Sequence, residues 1–203
     1  ERNFSKEDSY LLRKDAISKI LDKFSNNTIF VSTTGKLSRE LYELRKESNQ
    51  NCDDLYVVGG MGHASAISHG ILQNINKNKV VCLDGDGSVL MHMGNLGILG
   101  TSESKNFIHI VFNNSSHESV GGQPNIYKNL DSEKLFESLG YKEKLIFENV
   151  DALDNIDLES IIGPAFVEIK VQNTSNKNLL RPEKSPEENK KIFIAKLKDA
   201  TNS

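Results

Sequence analysis

The chain has 203 residues, the size of one domain. Its 25 Lys and Arg against 28 Asp and Glu leave a formal charge of −3, without the basic excess that phosphate-backbone binding needs, so no nucleic-acid partner is expected. A hydrophobic content of 37% with 26% charged residues excludes global disorder, and no run approaches the ~18 apolar residues of a membrane span, so no membrane partner is expected either.

Ser5-Lys6-Glu7-Asp8 has the form of a helix capping box, and Tyr10, Ile17, Ile20, Leu21 and Phe24 follow at helical spacing. Thr28 to Ser32 predicts a strand that ends at Thr33-Thr34-Gly35, and Ser38 to Arg45 a second helix. Leu55 to Val58 predicts a strand running into Gly59-Gly60-Met61-Gly62, followed by a helix from His63 to Gln73. Val80 to Leu83 is the next strand, closed by Asp84-Gly85-Asp86-Gly87, and Ser88 to Thr101 reads as one helix. Phe107 to Phe112 is an apolar strand ending in Asn113-Asn114. After the polar stretch Ser115 to Asn129 come a short helix over Ser132 to Leu139 and a short strand over Lys144 to Phe147. A helix over Val150 to Ile161, a strand over Ala165 to Val171, a turn over Asn173 to Asn178 and a helix over Pro186 to Lys198 complete the pattern. The alternation predicts an α/β fold, a mainly parallel sheet flanked by helices, as a single domain over residues 1–203. Cys52 and Cys82 form no metal-type pair and predict a reduced, cytoplasmic protein.

Ligands of parallel sheets bind at the carboxyl ends of the strands, where every Gly-rich turn named above falls. One reading is a dinucleotide module: Gly60 and Gly62 open a helix, and Asp84 lies 22 residues after Gly62, where an acid would take a ribose hydroxyl. A second reading joins two distant elements. Gly85-Asp86-Gly87-Ser88 closes one strand and Asn113-Asn114 another, with 25 residues between Gly87 and Asn113. One helix and one strand fit that interval, so the two strand ends are neighbours in a right-handed crossover. Asp86 offers a hard carboxylate oxygen and Asn114 an amide oxygen, donors suited to Mg²⁺. Gly85 and Gly87 admit a phosphate close to the backbone, and Ser88 opens a helix whose free N–H groups attract anions.

Gly-Asp-Gly-Ser followed at this spacing by Asn-Asn resembles the thiamine-diphosphate motif of the pyruvate-decarboxylase-like enzymes, and the resemblance covers nearly the whole chain as their diphosphate-binding domain. It implies thiamine diphosphate and Mg²⁺ as cofactors, with Asp86, Asn114 and the Ser116 carbonyl as metal ligands. It also implies that the Gly59 carbonyl, Gly60 and Met61 contact the pyrimidine side of the cofactor, and that Thr34 and Gly35 touch its diphosphate. The stretches TTGKLSREL, GGMGHAS, DGDGSVLMHMG, NFIHIVFNN and SHESVGGQP look like the phosphonopyruvate decarboxylases, which convert 3-phosphonopyruvate to phosphonoacetaldehyde and CO₂. Sulfopyruvate decarboxylases share DGDGSVLM and are the near alternative.

His117 and Glu118, just past the metal ligands, and His63, just past the glycine turn, are the candidate catalytic residues. Lys36, Ser38 and Arg39 are candidates for a phosphonate or diphosphate, whereas His69, His92 and His109 read as structural. Gly94, Gly97 and Gly100 read as a close-packed helix face. The resemblance further implies a glutamate from a separate pyrimidine-binding domain or subunit, and nothing in this sequence looks like that domain. The chain alone is therefore expected to be inactive and to work within a homo-oligomer on a small 2-oxoacid. The start at Glu1 instead of Met favours a piece of a longer polypeptide over a small subunit.

Overall fold

The computed structural model describes residues 10–174 and 178–202. Its elements are α1 (Arg13–Leu21), β1 (Ile29–Ser32), α2 (Lys36–Glu47), β2 (Leu55–Tyr56), α3 (Ala64–Leu72), β3 (Val80–Gly85), α4 (Asp86–Met91), α5 (Gly94–Gly100) and β4 (Phe107–Asn113). The two-residue strands β5 (Ser116–His117) and β6 (Gln123–Pro124) follow, then α6 (Ser132–Ser138), β7 (Glu143–Phe147), α7 (Val150–Asp154), β8 (Ala165–Lys170) and α8 (Pro186–Asn202).

Six strands form one sheet in the order β2-β1-β3-β4-β8-β7, all pairs parallel, which is the expected fold class. β3 and β4 are buried at almost every position because both faces of the sheet are covered. Strand alternation divides them between two cores. Val81 and Leu83 pack with Ile17, Leu41 and Leu153 from α1, α2 and α7. Val80 and Cys82 pack with Ile71, Leu99, Phe136 and Phe193 from α3, α5, α6 and α8. An isolated parallel bridge, Leu11 to Val171, joins the segment before α1 to the residue that follows β8. Among the described residues no helix is long and apolar enough to cross a membrane.

The winding places the site. β1 continues outward to β2, whereas β3 continues the other way to β4, so the direction reverses between β1 and β3. At such a switch point the flanking loops part and leave a crevice at the carboxyl edge. Thr33-Thr34-Gly35 and Gly85-Asp86-Gly87 are the loops that part.

Several expectations are corrected. The capping box at Ser5 to Asp8 lies outside the described residues, as does part of the turn over Asn173 to Asn178. Tyr10 precedes the first helix, because Leu11 is drawn into the Val171 bridge and helical turns begin only at Arg13. The predicted helix from Ser88 to Thr101 is two helices, broken at His92 and Met93, where His92 leaves helical geometry (φ −135°, ψ 47°) and a glycine follows. The helix predicted over Val150 to Ile161 stops at Asp154, since Asp157 takes the N–H of Ser160 into a side-chain turn instead. Of the three helix glycines, Gly100 alone is in tight contact: a Cβ there would lie 2.1 Å from the Leu139 carbonyl oxygen, while Gly94 has nothing within 4 Å.

Candidate functional site

Hydrogen bonds between loops fix the crevice before any ligand is considered. The Ser88 hydroxyl accepts from the Gly62 N–H at 2.9 Å and pairs with the Thr33 hydroxyl at 2.8 Å. The Thr34 hydroxyl accepts from the Gly59 N–H at 3.2 Å, and the Ser38 hydroxyl donates to the Thr33 carbonyl. Three strand ends are thus tied through small hydroxyl side chains. Gly62 has φ +82°, and a Cβ there would lie 2.7 Å from His92 and 3.0 Å from the Ser88 carbonyl, so only glycine fits the turn. The Gly59 carbonyl accepts from Met61 N–H at 2.8 Å, which leaves its second lone pair for a ligand.

Between these loops lies a cavity of about 200 Å³. Thr34, Met61, Gly85, Asp86, Gly87 and Ser88 line one part of it, and Asn114, Ser116, His117 and Glu118 the other. Ten of the expected site residues therefore meet at one place. Gly35, Gly59 and Gly60 sit in the flanking turns, outside the cavity lining. His63 is not brought there: its exposed ring lies against His92, with centroids 4.1 Å apart, and its Nδ1 is 3.2 Å from the Met61 carbonyl.

Asp86 is buried, with only 3% of its surface exposed. Its Oδ1 accepts from the Gly87 N–H and its Oδ2 from the Asn125 amide, each at 2.9 Å. Burial pushes the carboxyl above the usual carboxylate range, opposed by the Asn125 amide, by N–H groups of Gly87 and Ser115, and by His117. A buried carboxylate in this position gains from a counter-cation. Asn114 Oδ1 accepts from the Ser116 N–H at 3.1 Å, an Asx-type turn that bends the chain toward Asp86. The Ser116 hydroxyl is buried with no hydrogen-bond partner among the described residues. Carboxylate, amide oxygen and peptide carbonyl make a hard donor set suited to a small divalent cation. A Cβ at Gly87 would lie 2.9 Å from His117 Nδ1 and 3.5 Å from Met61 Cε, so glycine keeps a cradle open between these groups.

The first asparagine of the pair is a brace. Asn113 donates to the buried Glu168 at 2.8 Å and accepts from the Ser115 N–H at 2.9 Å, holding Ser115 in a left-handed turn (φ 56°). Glu118 is also braced. It takes Arg13 at 2.8 Å, Lys36 at 3.0 Å and the Asn114 amide at 3.4 Å, while Arg13 is shared with the buried Glu40 at 2.6 Å. This network holds Glu118 in the cavity wall beside the Asn114 amide. Sequence reasoning missed Arg13 and Asn125. Arg13 reaches Glu118 across 105 positions, which no local pattern signals; the only cue at Asn125 is an Asx start to the turn at Ile126–Asn129.

Asp84, the acid of the dinucleotide reading, is 1% exposed and faces the core. Its Oδ2 is 3.3 Å from His109 Nε2, and His109 Nδ1 is 3.3 Å from the Tyr141 hydroxyl. No ribose can reach it, so that reading fails on geometry, and His109 is fully buried beside it.

The profile of the family described as "Thiamine pyrophosphate enzyme, C-terminal TPP binding domain" matches residues 33–169. The phosphonopyruvate decarboxylase of Streptomyces viridochromogenes is 32% identical over 182 residues, 89% of this chain and 45% of that protein. The sulfopyruvate decarboxylase subunit beta of Methanocaldococcus jannaschii is 37% identical over 132 residues, 64% of this chain and 68% of that protein. The subunit beta of Methanococcus maripaludis is 29% identical over 187 residues, 92% of this chain and 98% of that protein. The chain thus spans less than half the length of the Streptomyces relative. Strand ends, glycine turns and hard oxygen donors agree with this match, and the chain belongs to the thiamine pyrophosphate enzymes as their C-terminal TPP-binding domain.

Proposed function

We propose that the chain is the diphosphate-binding half of a thiamine-diphosphate-dependent decarboxylase acting on a 2-oxoacid with a second acidic group. Its first-choice substrate is 3-phosphonopyruvate, which gives phosphonoacetaldehyde and CO₂. The observation that carries the reading is Asp86 and Asn114 meeting over one cavity from adjacent strand ends. Asp86, Asn114 Oδ1 and the Ser116 carbonyl would hold Mg²⁺, and Gly87, Ser88 and Thr34 would face the diphosphate. Thiamine diphosphate, when bound, supplies the electron sink for the charge left at the carbonyl carbon as CO₂ departs. The chain's own residues anchor and orient it. Met61, in the cavity wall, would support the cofactor, and the Gly59 carbonyl would offer it an acceptor. His117, against Gly87, would hold or deliver a proton.

A pyrimidine-binding domain or subunit completes the site with a glutamate, in an oligomer built around paired halves. Relatives that carry the name subunit beta support a site shared between polypeptides. The same relatives favour a second substrate reading, 3-sulfopyruvate. CO₂ release by the chain assembled with its pyrimidine-binding partner decides between them. 3-Phosphonopyruvate is expected to turn over fastest, with none for the chain alone. Faster turnover of 3-sulfopyruvate would move the substrate, and activity of the isolated chain would overturn the shared site.

Asn125 provides a sharper test of the metal end. Asn125→Ala leaves Asp86 Oδ2 and the Tyr127 N–H without partners. The expected result is about 2 kcal/mol less stability in urea and roughly tenfold or more weaker binding of Mg²⁺ with cofactor by calorimetry. Unchanged affinity would remove Asn125 from the metal site.

A further inference from the structure

The first turn of α2 stands between two cavities. Thr34 lines both, Lys36 the cofactor cavity, and Ser38 and Arg39 a second groove of about 310 Å³. The far side of that groove is the segment carrying Arg181 and Lys184, and its edge reaches Val58, the residue before the Gly59 turn. The segment is fixed in place. The Leu180 N–H donates to Glu43 Oε1 at 2.7 Å, and Asn189 accepts from the Tyr56 N–H at 3.2 Å while donating to the Asp54 carbonyl at 2.9 Å.

Arg39, Arg181 and Lys184 line this groove and no carboxylate does. Glu183, in the same segment, is turned to Lys46. Arg39 is half-buried, and none of the three cations makes an ion pair among the described residues, whereas Arg13 and Arg45 are both paired. Two arginines and a lysine along one groove raise the local concentration of anions. An Arg fork is matched to a tetrahedral oxyanion, which it can hold through two hydrogen bonds.

We propose that the Arg39–Arg181 groove receives the second acidic group, phosphonate or sulfonate, of the 2-oxoacid substrate, with Arg39 as the specificity-determining contact. This rests on the decarboxylase reading above. The charge logic selects that end of the substrate. A cation gripping the carboxylate that leaves as CO₂ would stabilise the ground state more than the transition state. A cation on the acid at the far carbon anchors both states equally and leaves the barrier alone.

The test uses the chain assembled with its pyrimidine-binding partner, as wild type, Arg39→Gln, Arg39→Lys and Arg181→Gln. KM and kcat are measured for 3-phosphonopyruvate and 3-sulfopyruvate, with methylphosphonate and methanesulfonate as inhibitors that lack the carbonyl. Arg39→Gln should raise KM and the inhibition constant of methylphosphonate together, by tenfold or more, with kcat within about threefold. Arg39→Lys should recover part of the loss, and cofactor affinity should not move. Unchanged KM in both glutamine variants, a fall in kcat alone, or non-competitive inhibition that marks a separate anion site would each overturn the proposal. If Arg39→Gln does not fold, the exposed Arg181→Gln carries the same comparison with a smaller rise. Absence of decarboxylation by the wild-type assembly would instead sink the decarboxylase reading. Calorimetric binding of methylphosphonate, lost in Arg39→Gln, would show in that case an anion groove that is not a substrate site.

Discussion

Asp86→Ala abolishes magnesium-dependent binding of thiamine diphosphate, an expected loss of at least ~100-fold in a calorimetric titration with the pyrimidine-binding partner present. Asp86 is the charged member of the proposed donor set; burial holds its carboxyl above the ordinary range, and a divalent cation bound there would favour the carboxylate form. The substitution removes that charge and leaves the Asn125 amide and the Gly87 N–H without their acceptor. A thermal melt run beside the titration separates lost binding from lost fold. Affinity that survives the substitution, or that never needed Mg²⁺, would overturn the metal–diphosphate assignment.

Gly100→Ala is expected to cost ~3 kcal/mol or more in urea denaturation, or to prevent folding. The added methyl would sit 2.1 Å from the Leu139 carbonyl oxygen, 2.9 Å from its carbon and 2.8 Å from the Tyr141 ring. Two of those atoms are backbone, and Gly140 returns the contact against Gly100, so neither side can yield by turning a side chain. Gly94→Ala, three residues into open space from Gly97, should be neutral or gain up to ~1 kcal/mol. Equal urea midpoints for the two variants would show that the α5 backbone is not locked against residues 139–141.

Legibility followed the range of the interactions. Val80 to Leu83, Phe107 to Phe112 and Ala165 to Val171 are runs rich in apolar and β-branched residues between polar turns, interrupted only by His109, Glu168 and Lys170, so the parallel strands could be read directly. The two halves of the site were legible because each is a short motif at a strand end. Interactions that cross the chain were not. Arg13 meets Glu40 27 positions away and Glu118 105 positions away. Asp84 carries the spacing of a ribose ligand, but alternation along β3 turns it onto His109 in the core. Gly94, Gly97 and Gly100 share a helical period, yet only the last is crowded, because crowding depends on what crosses the helix there. The break at His92 is likewise invisible in periodicity, since it arises where that ring packs on Gly62 and His63.

The bridge from Leu11 to Val171 sets a timetable for synthesis. β1 and β3 can pair while most of the chain is still on the ribosome, but α1 is held at its start by a partner about 160 residues later. At ~5–20 residues per second, that interval is roughly 8–30 s. Arg13, two residues past the bridge, meets Glu118 105 positions later, so the brace beside the Asn114 loop also waits for a distant segment. A nascent chain therefore passes through a period with its central strands paired and no competent pocket, exposing edges that slow, long-range parallel pairing leaves open to aggregation.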